Sequence, residues 1–176
     1  MKNPLYIAYH DKEWGRPIHE DGALYELLIL ESFQAGLSWE CILNKRDAFR
    51  RAFDGFDAER VAGYGEEKIE ALMADPAIVR NRRKITAAVR NTAVFLAIAR
   101  EFETFDRYIW SFTEGKTIRE PYILRTTSPL SDTVSRDLKR RGMTFVGSTI
   151  VYSYLQAIGV INGHSAECDQ HYCDAL

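Results

Sequence analysis

Glu31 lies on the apolar stripe of a predicted helix. Leu24, Leu27 and Leu28 recur at the spacing of one helical face, and Glu31 continues that face. A carboxylate on such a stripe is either a partly exposed residue at a helix end or a member of a functional site. Aromatic residues follow it closely, Trp39 among them. We therefore favour Glu31 as a catalytic or binding carboxylate.

Aromatic residues are concentrated near the start of the chain, at Tyr6, Tyr9 and Trp14, and we expect Trp39 to face them. Such rings most often belong to a protein core. Their faces also stack on nucleobases, at about 1–3 kcal/mol per base, and attract cationic rings. Beside a carboxylate, this cluster is suited to a positively charged purine.

A group of metal-ligand residues occupies the C-terminal tail. His164 and Cys168 are followed by His171 and Cys173, and His10 lies far upstream. Imidazole and thiolate groups are the ligands that zinc prefers, although this spacing matches no self-contained zinc finger. The chain has three cysteines and no secretory context, which disfavours a disulfide framework. We favour a metal site over an irregular terminus.

Two glycines, Gly142 and Gly147, bracket a short turn between helical patterns. Glycines there allow backbone N–H groups to approach a phosphate, with a helix N-terminus behind them. Arg141 would add positive charge, and Ser148 and Thr149 would donate hydroxyl hydrogen bonds. The spacing alone is equally consistent with an αα-hairpin that only turns the chain.

The elements that must position these residues show helical periodicity, and no two-residue turn joins alternating strands. The sequence therefore predicts an all-α fold. The predicted loop spans Gly115 to Pro129, and an irregular polar tail follows Gly159. A long helix includes Ile85 to Ala99. Near the C-terminus, one helix is capped by Ser131, and the next carries Ile150 to Ile158 on its apolar side. The other predicted helices begin near Gly22, Ser38 (continuing to Phe53), Asp57, Glu66, Pro76 and Thr104.

Size and charge limit the function classes. The 176 residues predict one domain, 1–176, with a helix, hairpin, helix unit at about 131–160 and the metal-binding tail at about 161–176. A net charge of −2 argues against a protein that coats nucleic acid through bulk charge, although basic residues cluster at 80–84 and 139–141. Without a membrane span or signal segment in the sequence, we expect a cytoplasmic protein.

Four sequence blocks, in order along nearly the whole chain, resemble the 3-methyladenine DNA glycosylase I family of bacteria. Together they are far more specific than any single motif. The blocks are Pro4 to Gly15, Glu31 to Trp39 (ESFQAGLSW), Ile78 to Ile85 (IVRNRRKI) and Arg140 to Ile150 (RRGMTFVGSTI).

The resemblance implies a helix-hairpin-helix DNA glycosylase fold in which Glu31 contacts an extruded base. Gly36 and Leu37 match the positions that probe the gap left by the flipped nucleotide. The residues implied to line the base pocket are Tyr6, Tyr9, Trp14 and Trp39.

The resemblance also implies a structural zinc that ties the N-terminal segment to the tail through His10, His164 and Cys168. The family's fourth ligand is a cysteine a few residues before Pro4, and only Met1 to Asn3 precede Pro4 here. Either the fourth ligand is missing, or His171 or Cys173 replaces it, or the site is defective.

The implied activity is base-excision repair. A monomeric, monofunctional enzyme would bind alkylated double-stranded DNA and remove 3-methyladenine with water, since no lysine in the sequence indicates a nucleophile. One alternative is a non-catalytic DNA-binding or damage-sensing module that retains the hairpin and lacks the pocket. A zinc-stabilised protein-interaction domain is another, but it leaves the hairpin and the basic clusters unexplained.

Overall fold

The computed structural model describes residues 3–120, 125–165 and 167–168. The all-α prediction is confirmed for these residues, with one addition, a pair of two-residue strands. The elements are α1 (Pro4–Lys12), α2 (Asp21–Gln34), α3 (Trp39–Leu43), α4 (Arg46–Ala52), a 3₁₀ helix (Asp54–Phe56), α5 (Ala58–Ala62), α6 (Glu66–Ala74), α7 (Arg82–Phe102), α8 (Phe105–Ser111), β1 (Ile118–Arg119), α9 (Pro129–Arg140), α10 (Ser148–Ala157) and β2 (Ile161–Asn162).

Helix α2 runs through the centre of the fold. Every residue from Leu27 to Phe33 is buried, so this helix is covered on all sides. It packs against α7, α8, α10 and α3. The Tyr154 hydroxyl of α10 donates a 3.0 Å hydrogen bond to the Leu24 carbonyl. Glu31 therefore lies within a run of seven consecutive buried residues.

The predicted helix from Ser38 to Phe53 is two helices, α3 and α4. Ser38 caps α3 as predicted, because its hydroxyl accepts the Cys41 N–H at 3.2 Å. A turn between Leu43 and Arg46 interrupts the helix. Ile42, Phe49 and Phe53 are all fully buried, so the break leaves their burial intact. Apolar periodicity alone therefore did not reveal it.

Two predicted helix starts were wrong. Pro76 lies in a turn, where the Asp75 carboxylate accepts the Ala77 N–H, and α7 begins only after Asn81 supplies a side-chain cap. Helix α9 begins at Pro129, because Ser128 is its cap. Ser131 is instead the third helical residue, whose hydroxyl accepts the Ser128 N–H at 2.8 Å in a reciprocal capping box.

The predicted surface loop and the predicted irregular tail meet in a short parallel sheet. Ile118 pairs with Ile161, and Arg119 pairs with Asn162. The stretch from Val160 to His164 is buried, which corrects the prediction of a polar, irregular segment there. Alternation is undetectable over two residues, so the sequence carried no strand signal.

The N-terminal segment crosses the end of α10. The Ile18 N–H donates to the Ile158 carbonyl at 3.0 Å. A Cβ on Gly159, whose φ is +76°, would lie 2.2 Å from the Arg16 carbonyl carbon, so this close approach requires glycine. This crossing brings α1, which the sequence did not predict, next to the tail. None of the helices in the described ranges is both long and apolar enough to span a membrane.

Candidate functional site

A cavity of about 630 Å³ opens between α1, α2, α3, α10 and the tail. This size is in the range of small-ligand sites. Glu31 and the four predicted aromatic residues all line it, so the structure brings together the pocket residues that the sequence predicted. The lining residues are Tyr6, Tyr9, His10, Trp14, Glu31, Gln34, Trp39, Ser153, Gln156, Gly163, His164, Ser165 and Cys168.

Glu31 occupies the last turn of α2 and is only 3% exposed. Its Oε2 atom has no hydrogen-bond partner, and its carboxylate has no ion pair, among the described residues. Burial raises the pKa of this carboxyl to about 8. A carboxylate in this setting is ready to accept a cation or a hydrogen-bond donor that enters the cavity.

The aromatic residues surround the carboxylate at different depths. Tyr9 is buried and its ring lies 5.3 Å from that of Trp39, whereas Tyr6 is 43% exposed at the rim. Burial, reinforced by the charge of Glu31, raises the pKa of Tyr9, which keeps its phenol protonated. The Trp39 indole N–H is buried without an acceptor in the described part of the chain. Both Glu31 and Trp39 thus present unsatisfied polar atoms.

Trp14 packs against two of the predicted metal ligands, His10 and His164, which line the same cavity. Its ring stacks on His10 at 5.8 Å and meets the edge of His164 at 4.5 Å. The N-terminal segment approaches the tail closely here, because a Cβ on Gly15 would lie 2.6 Å from the His164 ring. The predicted metal ligands therefore form part of the lining of the pocket.

The three predicted metal ligands converge. One donor atom each of His10, His164 and Cys168 lie within 4.8 Å of one another, and Cys168 Sγ is 3.9 Å from His10 Nε2. His10 Nδ1 lies 2.9 Å from the Asp11 carboxylate, and His164 Nδ1 lies 3.0 Å from the Asn162 amide oxygen. Such contacts orient metal-ligating histidines, so the donor set fits zinc. His171 and Cys173 lie outside the described residues.

The loop after α2 presents an apolar side chain to solvent. Gly36 has φ +76°, and Leu37 is 37% exposed. The loop is closed twice, because the Leu37 N–H donates to the Gln34 carbonyl at 2.7 Å and the Gln34 amide donates to the Leu37 carbonyl at 2.8 Å. Gly36 and Leu37 therefore form a tight, exposed turn at the edge of α2.

The predicted hairpin lies between α9 and α10. Gly142 has φ +106°, and Gly147 is the N-cap residue of α10, where it provides no side-chain cap. The Ser148 hydroxyl lies 2.8 Å from the Ser131 hydroxyl, whereas Thr149 is exposed. No side chain in the described ranges caps the first N–H groups of α10, so they are available to an external anion. That they bind DNA stays a prediction.

Arg141, also predicted to contact DNA, is engaged in contacts within the protein. Its guanidinium pairs with Glu101 at 2.6 Å and with Asp137 at 2.7 Å, and it lies over the Phe102 and Tyr108 rings. These contacts join α7, α8 and α9. They indicate a structural role, and DNA contact by Arg141 stays a prediction.

Sequence analysis missed several residues of these surfaces. Ser153 and Gln156 reach the cavity from α10, where polar residues three positions apart in an apolar helix were the available signal. Arg90 of α7 is exposed, has no ion pair among the described residues, and places Nη2 3.6 Å from where a Cβ on Gly142 would lie. Only the tertiary structure brings Arg90 to the hairpin.

Known proteins share both the sequence and the fold. A sequence model of the methyladenine glycosylase family matches residues 1–172. DNA-3-methyladenine glycosylase 1 of Escherichia coli (strain K12) is 42% identical over 95% of this chain and 91% of its own. A crystal structure of a 3-methyladenine DNA glycosylase I superposes with a TM-score of 0.92 at 40% identity, covering 99% of this chain and 96% of that one.

A second solved structure, a variant 3-methyladenine DNA glycosylase I in complex with 3-methyladenine, superposes with a TM-score of 0.94 at 36% identity. It covers 97% of this chain and 94% of that one. The chain belongs to the methyladenine glycosylase family.

Proposed function

We propose that this protein is a DNA glycosylase of base-excision repair, which extrudes 3-methyladenine from alkylated duplex DNA and hydrolyses its bond to deoxyribose. The observation that carries the proposal is the buried Glu31 carboxylate, unpaired among the residues that the structure describes, in a cavity lined by aromatic rings. A cationic purine fits this cavity, because its charge offsets the carboxylate and its ring stacks on tyrosine or tryptophan.

Methylation at N3 gives the purine a positive charge while it is still attached to the sugar, so the glycosidic bond is already weak. The departing base takes the bonding electrons and leaves as a neutral molecule without a further proton. Glu31 therefore has no need to act as a strong acid. It would accept a hydrogen bond from the base edge, offset the charge and discriminate against neutral adenine.

Water would be the nucleophile at C1′ of the sugar, with one proton released to solvent and an abasic site as product. No lysine is among the described residues that line the cavity, which supports a monofunctional enzyme without a Schiff-base intermediate. Burial lowers the pKa of Lys84, but its ammonium is held by the Phe33 and Ala35 carbonyls and does not line the cavity.

DNA would bind across the exposed loop and the hairpin. The N–H groups around Gly147, which have no acceptor in the described part of the chain, would bind a backbone phosphate together with Thr149, and Arg90 would add charge beside them. Leu37 would occupy the gap left by the extruded nucleotide. It follows Gly36 in a tight turn, and a Cβ placed on Gly36 would have no described atom within 4 Å, so this turn is open to DNA. Extrusion is least costly at a damaged base.

Zinc is part of this proposal, with His10, His164 and Cys168 as ligands. When bound, the ion would cross-link the N-terminal segment to the tail and so hold Trp14 in the pocket wall; it would take no part in the cleavage step. The test is metal content by mass spectrometry. We expect about one zinc per wild-type chain and much less in His10→Ala, with Asp47→Ala, an exposed residue, as the control. Equal zinc in all three would contradict this ligand set.

We also propose that the enzyme acts as a monomer on DNA in the compartment that holds the genome, which is the cytoplasm in a bacterium. The alternative, a non-catalytic damage sensor, would have the same hairpin but would not need an unpaired carboxylate in the pocket. Salt-dependent DNA binding separates both from a protein-interaction domain.

The deciding experiment is the release of free 3-methyladenine from alkylated DNA by wild type and by Glu31→Ala, with zinc measured on the same samples. We expect release by wild type and a loss of about 100-fold in the variant. DNA binding without release by zinc-loaded wild type would instead support the damage sensor.

A further inference from the structure

Two buried polar residues of α7 contact the two loops to which the proposed function assigns DNA. Lys84 reaches the loop after α2, and Asn91 reaches the hairpin. They lie seven positions apart on one helix, which corresponds to two turns on the same face and about 10 Å along the axis. Neither residue lines the cavity.

Lys84 holds the end of α2. Its Nζ atom donates to the Phe33 carbonyl at 2.8 Å and to the Ala35 carbonyl at 2.5 Å, and the side chain is only 8% exposed. It has no carboxylate partner among the described residues. The ammonium therefore satisfies carbonyls that the helix end leaves open, and its charge is favourable at that end of the helix dipole.

Hydrogen bonds to backbone carbonyls restrict the loop formed by residues 33 to 37. Lys84 holds two of them, the Gln34 carbonyl accepts the Leu37 N–H, and the Leu37 carbonyl accepts the Gln34 side chain. The exposed Leu37 side chain is thus presented by a backbone that is fixed on both sides. A fixed turn suits a side chain that must enter a base stack.

Asn91 pairs with the backbone of the hairpin. It is fully buried, its amide donates to the Thr144 carbonyl at 2.7 Å, and its oxygen accepts the Thr144 N–H at 2.9 Å. The Ser135 hydroxyl donates to the Val146 carbonyl at 2.7 Å. Both hairpin carbonyls are therefore turned towards the protein.

Peptide geometry gives these contacts a consequence for the neighbouring N–H groups. In a planar trans peptide, the N–H of the next residue points opposite to the carbonyl. The N–H groups of Phe145 and Gly147 must therefore point away from Asn91 and Ser135. Neither donates a hydrogen bond to any residue that the structure describes. Phe145 has φ +55°, a conformation that the surrounding contacts must maintain.

We propose that α7 sets the separation and orientation of the two DNA-contacting loops, with Lys84 as the positioning residue for the Leu37 turn and Asn91 as the positioning residue for the hairpin amides. The inference rests on the proposed function. It assigns the two residues to different steps: Lys84 to base extrusion and Asn91 to backbone binding. A role in stability alone would affect both steps together.

The test measures three quantities for Lys84→Met and Asn91→Asp: affinity for free 3-methyladenine, affinity for a duplex with a stable abasic-site analogue, and single-turnover release at saturating enzyme. The Lys84→Met change keeps the side-chain length and removes the donors. The Asn91→Asp change keeps the acceptor for the Thr144 N–H and places a second acceptor against the Thr144 carbonyl. The controls are Lys45→Met, whose ammonium also bonds a carbonyl, of Ala77, and Asn44→Asp on the surface.

For Lys84→Met we expect release to fall by about tenfold to a hundredfold while free-base affinity stays within about threefold. For Asn91→Asp we expect affinity for both lesion and unmodified duplex to weaken by about tenfold, with release at saturation within about threefold. Both controls should match wild type. If Lys84→Met does not fold, Lys84→Gln, which retains one neutral donor, is held to the same criteria.

Wild-type rates and affinities in both variants would overturn the inference, and so would equal losses in all three quantities. Failure of the proposed function has a different signature, because wild type itself would then release no base. In that case the DNA-affinity measurement on Asn91→Asp still decides the role of Asn91.

Discussion

Two regions of α2 treat a carboxylate in opposite ways. Glu26 lies on the side of α2 that faces α4, where Arg46 bonds it at 2.6 Å and Arg50 at 2.8 Å. Arg46 also bonds Glu13, the C-cap residue of α1, at 2.6 Å, so this cluster ties the end of α1 to α2 and α4. Glu31, five residues on, is more deeply buried and has no cation among the described residues. The first region is complete without a ligand, and the second is not.

The difference shows how one helix serves structure and function at once. An ion pair with little exposure stabilises the fold only while both partners remain. A buried carboxylate without a partner destabilises the fold, and this cost is recovered only when a ligand supplies the missing charge. We therefore expect substitutions in the two regions to separate stability from activity.

The largest expected effect is on base excision. Glu31→Gln should lower single-turnover release of 3-methyladenine by about 100-fold, because a neutral amide cannot offset the cationic base. Glu26→Gln should leave the rate within about threefold of wild type, because Glu26 does not line the cavity. A comparable loss in both variants would remove the distinction between the regions.

The pH dependence of kcat/KM is the next largest effect. The form of Glu31 that binds a cation is ionised, and its pKa in the free protein is raised to about 8. We expect kcat/KM to rise about tenfold per pH unit below pH 8 and to level off above it, since this parameter reports the free enzyme. The profile of Glu31→Gln should lack this step, and an unchanged step would assign it to another group.

A smaller effect, of opposite sign in the two regions, is expected on the free energy of unfolding. The folded protein keeps a proton on Glu31 between its unfolded pKa, near 4.5, and its folded pKa, about 8, so wild-type stability falls as pH rises through this window. Urea unfolding at pH 8 should show Glu31→Gln more stable by about 1–3 kcal/mol.

Glu26→Gln should be less stable by about 1–3 kcal/mol at the same pH, because Arg46 loses a charged partner in a mostly buried site. The gain from Glu31→Gln should disappear towards pH 4.5, where wild type holds the same proton folded and unfolded. A stability loss in both variants would contradict the assignment of Glu31 as an unpaired carboxylate.

The smallest expected effect extends the comparison to arginines. Arg90→Ala should reduce the slope of log affinity for DNA against log salt by about one, because one phosphate contact is lost. Arg141→Ala should instead lower the melting temperature, since Arg141 is paired with Glu101 and Asp137. Identical salt slopes for wild type and Arg90→Ala would contradict a phosphate contact by Arg90.

Much of the fold was predictable from local signals. Ser38, Asp57 and Thr104 each cap the helix that the sequence assigned to them. The failures have local causes as well. Ser128 and Ser131 lie three residues apart and either type of position suits a serine, so the cap of α9 was assigned to the wrong one. Two-residue strands are too short to show alternation. The spacing placed Glu31 on the apolar face of its helix and so favoured it as a functional carboxylate, because the apolar face of a helix packs against the core.

The sequence by itself determined the chemistry available to this protein: a carboxylate on an apolar stripe, four aromatic rings, zinc-type ligands and a glycine-bracketed turn. Only the tertiary structure decided which polar groups are paired. Glu26 and Glu31 are glutamates of one helix, and Arg90 and Arg141 are both arginines, but the sequence does not show which member of each pair has an ion-pair partner. Pairing depends on side chains that meet from distant parts of the chain, and such contacts form only when helices pack.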